Sequence, residues 1–221
     1  MNKNNIVIVD YTLGNLYGVK RAFQKVGYEP LISDKKKDIL NAQKIVLPGV
    51  GAFSAGMKGL EEKDLLGSIK DFAKTGKPIL GICLGMQLLM TQSEENGLHE
   101  GMNLIKGKVK KFDPPKETNS FKIPHYGWSS VSIPELGDGV TGNPWRATVL
   151  DGVAVNSFFY FVHSYYVHTD DPLNSVGVSN YGRNIFTSVL KKGNISGCQF
   201  HPELSGERGL QIITNFVSQK Y

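Results

Sequence analysis

The feature that most constrains the fold of this 221-residue chain is a change of hydrophobic period that repeats through its first half. Ile6-Val7-Ile8-Val9 is an unbroken β-branched run, the pattern of a strand covered on both faces. Leu16, Val19, Ala22, Phe23 and Val26 then recur at helical spacing, and Gly27 follows where such a helix would end. Pro30-Leu31-Ile32 and Ile45-Val46-Leu47 read as short strands. Leu65, Leu66, Ile69, Phe72 and Ala73 form a helical stripe closed by Gly76. Pro78-Ile79-Leu80-Gly81-Ile82 is a strand that gives way at once to a helix carrying Leu84, Leu88 and Leu89. Strands alternating with helices pair in parallel through right-handed crossovers, in a sheet covered on both sides.

The second half has a different rhythm. Residues 109–112, 131–133, 158–162, 176–179, 186–190 and 195–200 are strand-like and separated by turn residues. Residues 206–219 close the chain as a helix with Leu210, Ile213, Phe216 and Val217 on one face. The expectation is one α/β domain over residues 1–221, a mixed sheet flanked by helices with an antiparallel extension. Residues 134–155, rich in Gly and turn formers, read as an inserted loop or flap.

Composition narrows the function. The chain is 40% hydrophobic and has 25 Lys+Arg against 20 Asp+Glu, a net charge of +5 that points to no particular partner. Two cysteines far apart make no disulfide framework, so a reducing, cytoplasmic setting is expected. The apolar run from Ile79 to Met86 is too short for a membrane span, and the apolar start of the chain is too short for a signal peptide. Lys35-Lys36-Lys37 and Lys106, Lys108, Lys110 and Lys111 read as solvated faces rather than a nucleic-acid groove. Gly49-Val50-Gly51 begins like a dinucleotide loop, but Ser54 stands where the third glycine belongs. Gly107-Lys108 fails as a phosphate loop because Gly101 is one residue early and Val109 is neither Ser nor Thr. No His, Cys, Asp and Glu spacing suggests a metal, and no cofactor is expected.

Gly81-Ile82-Cys83-Leu84-Gly85 sits where a buried strand meets a helix, the sulfur form of a nucleophile elbow. A sharp turn there would hold the nucleophile in a strained conformation, flanking glycines would admit neighbouring backbone, and the following helix would aim its N-terminal dipole at sulfur. The amide of Leu84 would be an oxyanion donor. Taken alone, the five residues also fit an inert buried cysteine, as Cys198, with no helix after it, does. His201-Pro202-Glu203 at the end of the last strand supplies an imidazole and a carboxylate to orient it. Sites on open α/β sheets collect at the C-terminal ends of strands, where both Cys83 and His201 fall. His99 and His168 read as exposed loop residues, and His125 and His163 as packing or interface residues.

Three blocks then line up: Pro48-Gly49-Val50-Gly51-Ala52-Phe53, Gly81 to Leu89 around Cys83, and Gln199-Phe200-His201-Pro202-Glu203. Together they resemble the class I (triad) glutamine amidotransferases. Asp10 to Leu16, Pro124-His125-Tyr126-Gly127-Trp128 and Phe159 to Tyr166 resemble, within that class, glutaminase subunits of imidazole glycerol phosphate synthases. The resemblance implies a triad of Cys83, His201 and Glu203 acting on L-glutamine, with backbone donors at Val50, Gly51 and Leu84. It implies that Gln87, Glu95, Ser164 and Tyr165 hold the substrate. A heterodimer with a (β/α)₈-barrel cyclase subunit is implied, receiving ammonia through a protected channel, with His125, Tyr126, Gly127 and Trp128 at the interface. The chain departs from the family pattern at Thr12 (usually Gly), Tyr126 (Met), Ser129 (Asn) and Leu204 (Lys), and in extra length around residues 134–155. These departures leave the triad intact but fall toward the docking face, so a sugar-modifying synthase is the alternative partner.

Overall fold

The computed structural model describes residues 5–114, 122–135 and 143–219. In chain order they form β1 (Ile6–Val9), α1 (Leu16–Lys25), β2 (Leu31–Ser33), α2 (Lys36–Asn41), β3 (Lys44–Gly49), α3 (Phe53–Glu62), α4 (Leu66–Lys74), β4 (Ile79–Cys83) and α5 (Leu84–Leu88). Strands dominate the remainder: β5 (Met90–Ser93), β6 (His99–Glu100), β7 (Ile105–Lys111), β8 (His125–Val131), β9 (Ser157–His163), β10 (Tyr165–Thr169), β11 (Ser175–Tyr181), β12 (Asn184–Lys192) and β13 (Ile195–Cys198). Helix α6 (Gly206–Ser218) closes the chain.

The main sheet has the order β2-β1-β3-β4-β13-β12-β10-β7-β5-β6, with β11 paired to β12. From β2 to β13 neighbouring strands are parallel, and the pairings among β10 to β13 and between β7 and β10 are antiparallel. The result is a mixed sheet flanked by helices with an antiparallel extension. The β-branched run predicted to be covered on both sides is so placed. Ile6 and Ile8 enter one core with Phe23, Phe216 and Phe159, while Val7 and Val9 enter the other with Phe53, Leu60 and Phe72. Period-2 alternation therefore serves two cores at once.

A second, two-stranded ribbon of β8 and β9 is antiparallel, with His125 opposite His163 and Trp128 opposite Tyr160. It meets β11 through the Ser132–Val178 bridge. The strand expected at 131–133 lies earlier, at β8, because its inward residues His125 and Ser129 are polar and gave no apolar alternation. Helix α3 carries Gly56 and Gly59, poor helix formers, and still buries Phe53, Met57 and Leu60 on one face. His99 and His168, expected in loops, lie on β6 and β10.

Residues 136–142 of the expected loop or flap lie outside the described residues, and residues 143–155 are turns and loop, pinned to the core by their buried apolar residues. Trp145 is 1% exposed, its indole Nε1 donates to the Val176 carbonyl at 2.7 Å, and Val149, Leu150 and Val153 pack beside it. Asn215 on α6 donates to the carbonyls of Val149 and Asp151 at 2.9 and 2.7 Å. Turn residues gave the stretch its loop character, and the apolar residues between them anchor it.

Trp145→Ala should therefore cost about 3–5 kcal/mol of stability in a urea titration, whereas a detached flap would give a change within about 0.5 kcal/mol. Thr12 has φ of +79°, a region a β-branched residue occupies at a cost. Thr12→Gly should stabilise the fold by about 1 kcal/mol in the same assay.

Candidate active site

The parallel registers bring three strand ends to one edge of the sheet. Gly49 of β3 pairs with Cys83 of β4, and Cys198 of β13 pairs with Ile82. The residues that follow these ends, Val50-Gly51, Leu84 and His201, emerge side by side. At the elbow, Cys83 takes φ 52° and ψ −111°, a strained conformation for a residue with a side chain that costs on the order of 1–3 kcal/mol. The glycines beside it answer to close backbone approach. A Cβ at Gly85 would lie 1.7 Å from the Leu47 carbonyl oxygen, and one at Gly81 would lie 2.8 Å from the Met86 backbone. The following helix, α5, spans five residues, so its dipole is smaller than the sequence suggested. Its first amide, Leu84, has no intrahelical acceptor by position and remains available to an anion.

His201 is held at its backbone: its N–H donates to Tyr160 O at 2.9 Å, and Ser205 Oγ donates to its carbonyl at 2.6 Å. Its Nδ1 bonds Glu203 Oε1 at 2.9 Å, within a pair whose side chains are 4% and 1% exposed. Asn15, the N-cap of α1, also reaches Glu203 Oε1, at 3.5 Å. Burial works against the imidazolium, but hydrogen bonding and charge attraction from Cys83 and Glu203 outweigh it and raise the pKa to about 10. The imidazolium so favoured has Nδ1 on the carboxylate, which leaves Nε2 for the cysteine. Cys198 differs: it is fully buried, and burial pushes its thiol well above the usual range.

Beside Cys83 lies a cavity of about 380 Å³, at the small end of the range for small-molecule sites. Its wall includes Val50, Gly51, Leu84, Gln87, Glu95, Ser164 and Tyr165, every residue expected at the oxyanion and glutamine positions. Gln87 Nε2 donates to the Tyr165 carbonyl at 2.9 Å and to Gln199 Oε1 at 3.1 Å. Glu95 Oε2 accepts from the Phe53 amide at 2.6 Å, capping α3, so one of its oxygens is already engaged. A larger opening of about 560 Å³ lies at the other end of β4 and β13, around Pro78 and Asn194, and its lining holds no cysteine or histidine. Among the described residues no three His, Cys, Asp or Glu side chains gather as a metal site, and no helix is long and apolar enough to cross a membrane.

Two polar contacts at the elbow were not foreseen. Gln199 Nε2 approaches Cys83 Sγ at 3.7 Å, while Sγ lies 3.9 Å from the Val162 carbonyl. The Tyr11 hydroxyl is buried without a partner against Gly49, and burial, then the Cys83 charge, raises its pKa. Both residues lie inside the quoted blocks, where a polar group among buried neighbours was the available signal.

The β8–β9 ribbon divides the expected interface residues. Tyr126 and Trp128 are 70% and 55% exposed on its outer face, beside Phe158 and Tyr160. His125 is 1% exposed and turned inward, so it cannot itself meet a partner as expected. Ser129, one of the departures, also turns inward and bonds His125 Nε2 at 2.9 Å. Leu204 is half exposed on the turn after His201.

Comparison with known proteins agrees with this geometry. The family profile described as glutamine amidotransferase class-I matches residues 7–220. The imidazole glycerol phosphate synthase subunit HisH of Sulfurimonas denitrificans is 44% identical over 215 residues, 97% of this chain and 98% of that one. That of Methanosarcina barkeri is 46% identical over 213 residues, 96% and 97% of the two chains. Such coverage leaves no surplus length around residues 134–155 relative to these proteins. Among solved structures, one described as a glutamine amidotransferase superposes with a TM-score of 0.69 at 15% identity, covering 96% of this chain and 97% of that one. PurLQS from Thermotoga maritima gives 0.66 at 22% identity with the same coverage. The chain belongs to the class I glutamine amidotransferases.

Proposed function

We propose that this chain is the glutaminase subunit of an imidazole glycerol phosphate synthase, hydrolysing L-glutamine to glutamate and ammonia for a partner synthase subunit. Family membership and the names of its relatives support that chemistry. The observation that carries it is the His201–Glu203 pair beside Cys83, whose side chain lines the cavity.

In this reading Cys83 Sγ, as the thiolate paired with the His201 imidazolium, attacks the γ-amide carbon of glutamine and forms a C–S bond. The oxyanion that develops is met by the Leu84 amide and by backbone donors at Val50 and Gly51. His201 Nε2–H then gives its proton to the departing nitrogen, the C–N bond breaks, and ammonia leaves behind a γ-glutamyl thioester. Water attacks that thioester as His201 takes its proton. The C–S bond breaks, glutamate is released, and the thiolate–imidazolium pair is restored. Glu203 keeps Nδ1 protonated and Nε2 aimed at sulfur throughout. Gln87, Glu95, Ser164 and Tyr165 supply the polar wall for the amino-acid end of the substrate.

The partner in this reading is a (β/α)₈-barrel cyclase that uses the ammonia to make imidazole glycerol phosphate and an aminoimidazole carboxamide ribotide in histidine biosynthesis. The contiguous exposed aromatics Tyr126, Trp128 and Phe158 suit a docking face. The relatives' names favour this partner over a sugar-modifying synthase. Two free thiols fit a cytoplasmic setting.

Cys83→Ala should lower glutamine-supported synthesis by the complex by about four orders of magnitude or more, while added ammonium salt still supports it. Retained glutamine use would overturn the assignment, and recovery of a sugar-modifying synthase without a barrel cyclase in a pull-down would overturn the partner. Glu203→Gln and Cys83→Ala should each lower the His201 pKa from about 10 in an NMR titration, because each removes a partner of the imidazolium and leaves burial unopposed. An unchanged value would disconnect the line. Since the folded pKa lies above the ordinary 6.5, the linked stabilisation is complete below pH 6.5 and is lost as pH rises through 10.

A further inference from the structure

From His163 in the cavity wall a chain of buried polar groups runs inward that the proposed reaction does not use. His163 Nδ1 lies 2.8 Å from the Tyr165 carbonyl oxygen, His163 Nε2 lies 3.1 Å from His125 Nδ1, and His125 Nε2 lies 2.9 Å from Ser129 Oγ. The direction of every bond follows from the first. A carbonyl can only accept, so His163 Nδ1 carries a proton. Burial keeps both rings neutral, lowering His163 to about 3, with help from His125, and His125 to about 4. A neutral ring protonated at Nδ1 accepts at Nε2, so His125 must donate from Nδ1 and accept at Nε2, where Ser129 donates. One arrangement of protons satisfies the whole chain.

We propose that His125 and His163 form a relay of fixed tautomers that positions the Tyr165 carbonyl, and through it Gln87, for substrate binding. The Tyr165 carbonyl is where two arms meet, because it also accepts from Gln87 Nε2 at 2.9 Å. The second proton of that amide goes to Gln199, whose own amide reaches Cys83 Sγ. Gln87 is thereby oriented with both protons engaged, and its Oε1 remains as an acceptor at the cavity wall. Were His163 to switch to the Nε2–H tautomer, Nδ1 would oppose the carbonyl lone pairs, and the Tyr165 backbone and Gln87 would lose their common anchor. The Tyr165 carbonyl itself favours Nδ1–H, and His125 adds to that preference by donating to Nε2. The relay acts at a distance from the reacting atoms, and its outer end lies on the strand that carries Tyr126 and Trp128.

The role in substrate binding rests on the glutamine reading, whereas the tautomers do not, and the experiment separates the two. His125 is stacked between Phe161 and Tyr181 at ring distances of 4.9 and 4.0 Å, so His125→Phe keeps the packing and removes the donor. Nitrogen-15 spectra of the full chain should show wild-type His163 protonated at Nδ1 with a bare, hydrogen-bonded Nε2, and H125F should keep Nδ1 protonated while moving the Nε2 resonance to that of an unbonded acceptor. With the synthase partner bound, H125F should raise KM for glutamine about tenfold with a smaller change in kcat. His125→Asn, which keeps a donor near Nδ1, should restore most of the loss. A wild-type His163 protonated at Nε2, or an H125F chain with unaltered Nε2 resonance and KM, would overturn the relay. The wild-type spectrum decides by itself if H125F does not fold. A chain that shows the Nε2 shift yet never hydrolyses glutamine would overturn the glutamine reading and support the relay.

Discussion

The site depends on the parallel pairing of β4 with β13. That register sets Cys198 beside Ile82, so the nucleophile candidate at the end of β4 and the imidazole just past β13 emerge at the same edge. Pairing of β4 with β3 places Gly49 beside Cys83 in the same way and brings the Val50-Gly51 loop to the thiol. Helix α5 must then start against the backbone of β3, which is why Gly85 meets the Leu47 carbonyl at a distance no side chain could share. Strain at Cys83 is sustained because both flanking elements are buried and over-determine the turn.

Electrostatics follow from that placement. Three buried imidazoles lie near one another with opposite tendencies. His201, with Cys83 and Glu203 as partners, holds a proton, while His125 and His163 are driven to the neutral form by burial and, at His163, also by the charges of His125 and His201. The same residue type thus serves as a charged acid at the sulfur and as a neutral tautomer lock at the cavity wall. What differs is the nearest partner, a carboxylate and a thiol in one case and a carbonyl and a hydroxyl in the other.

Much of the first half was legible. The β-branched run at Ile6–Val9, the stripe of α1 and the elbow at Cys83 each carry a local periodicity that the tertiary structure left in place. Less was legible where polar residues face inward. Strand β8 hid because His125 and Ser129 occupy its buried positions, and residues 143–155 hid because Trp145, Val149 and Leu150 are spaced by turn formers. The expected helix dipole at the thiol was overstated for a related reason: an apolar run through Leu89 does not reveal that β5 begins at Met90.

The sequence by itself determined the class of fold and the residues able to do chemistry, because hydrophobic period and the Gly-x-Cys-x-Gly and His-Pro-Glu patterns are local. Only the tertiary structure decided their relations: that the Cys83 thiol shares an edge with His201, that Tyr126 and Trp128 face out while His125 faces in, and that Gln199 touches the sulfur. Those relations come from strand register and sheet order, which join residues far apart in the chain and leave no mark in any short window of it.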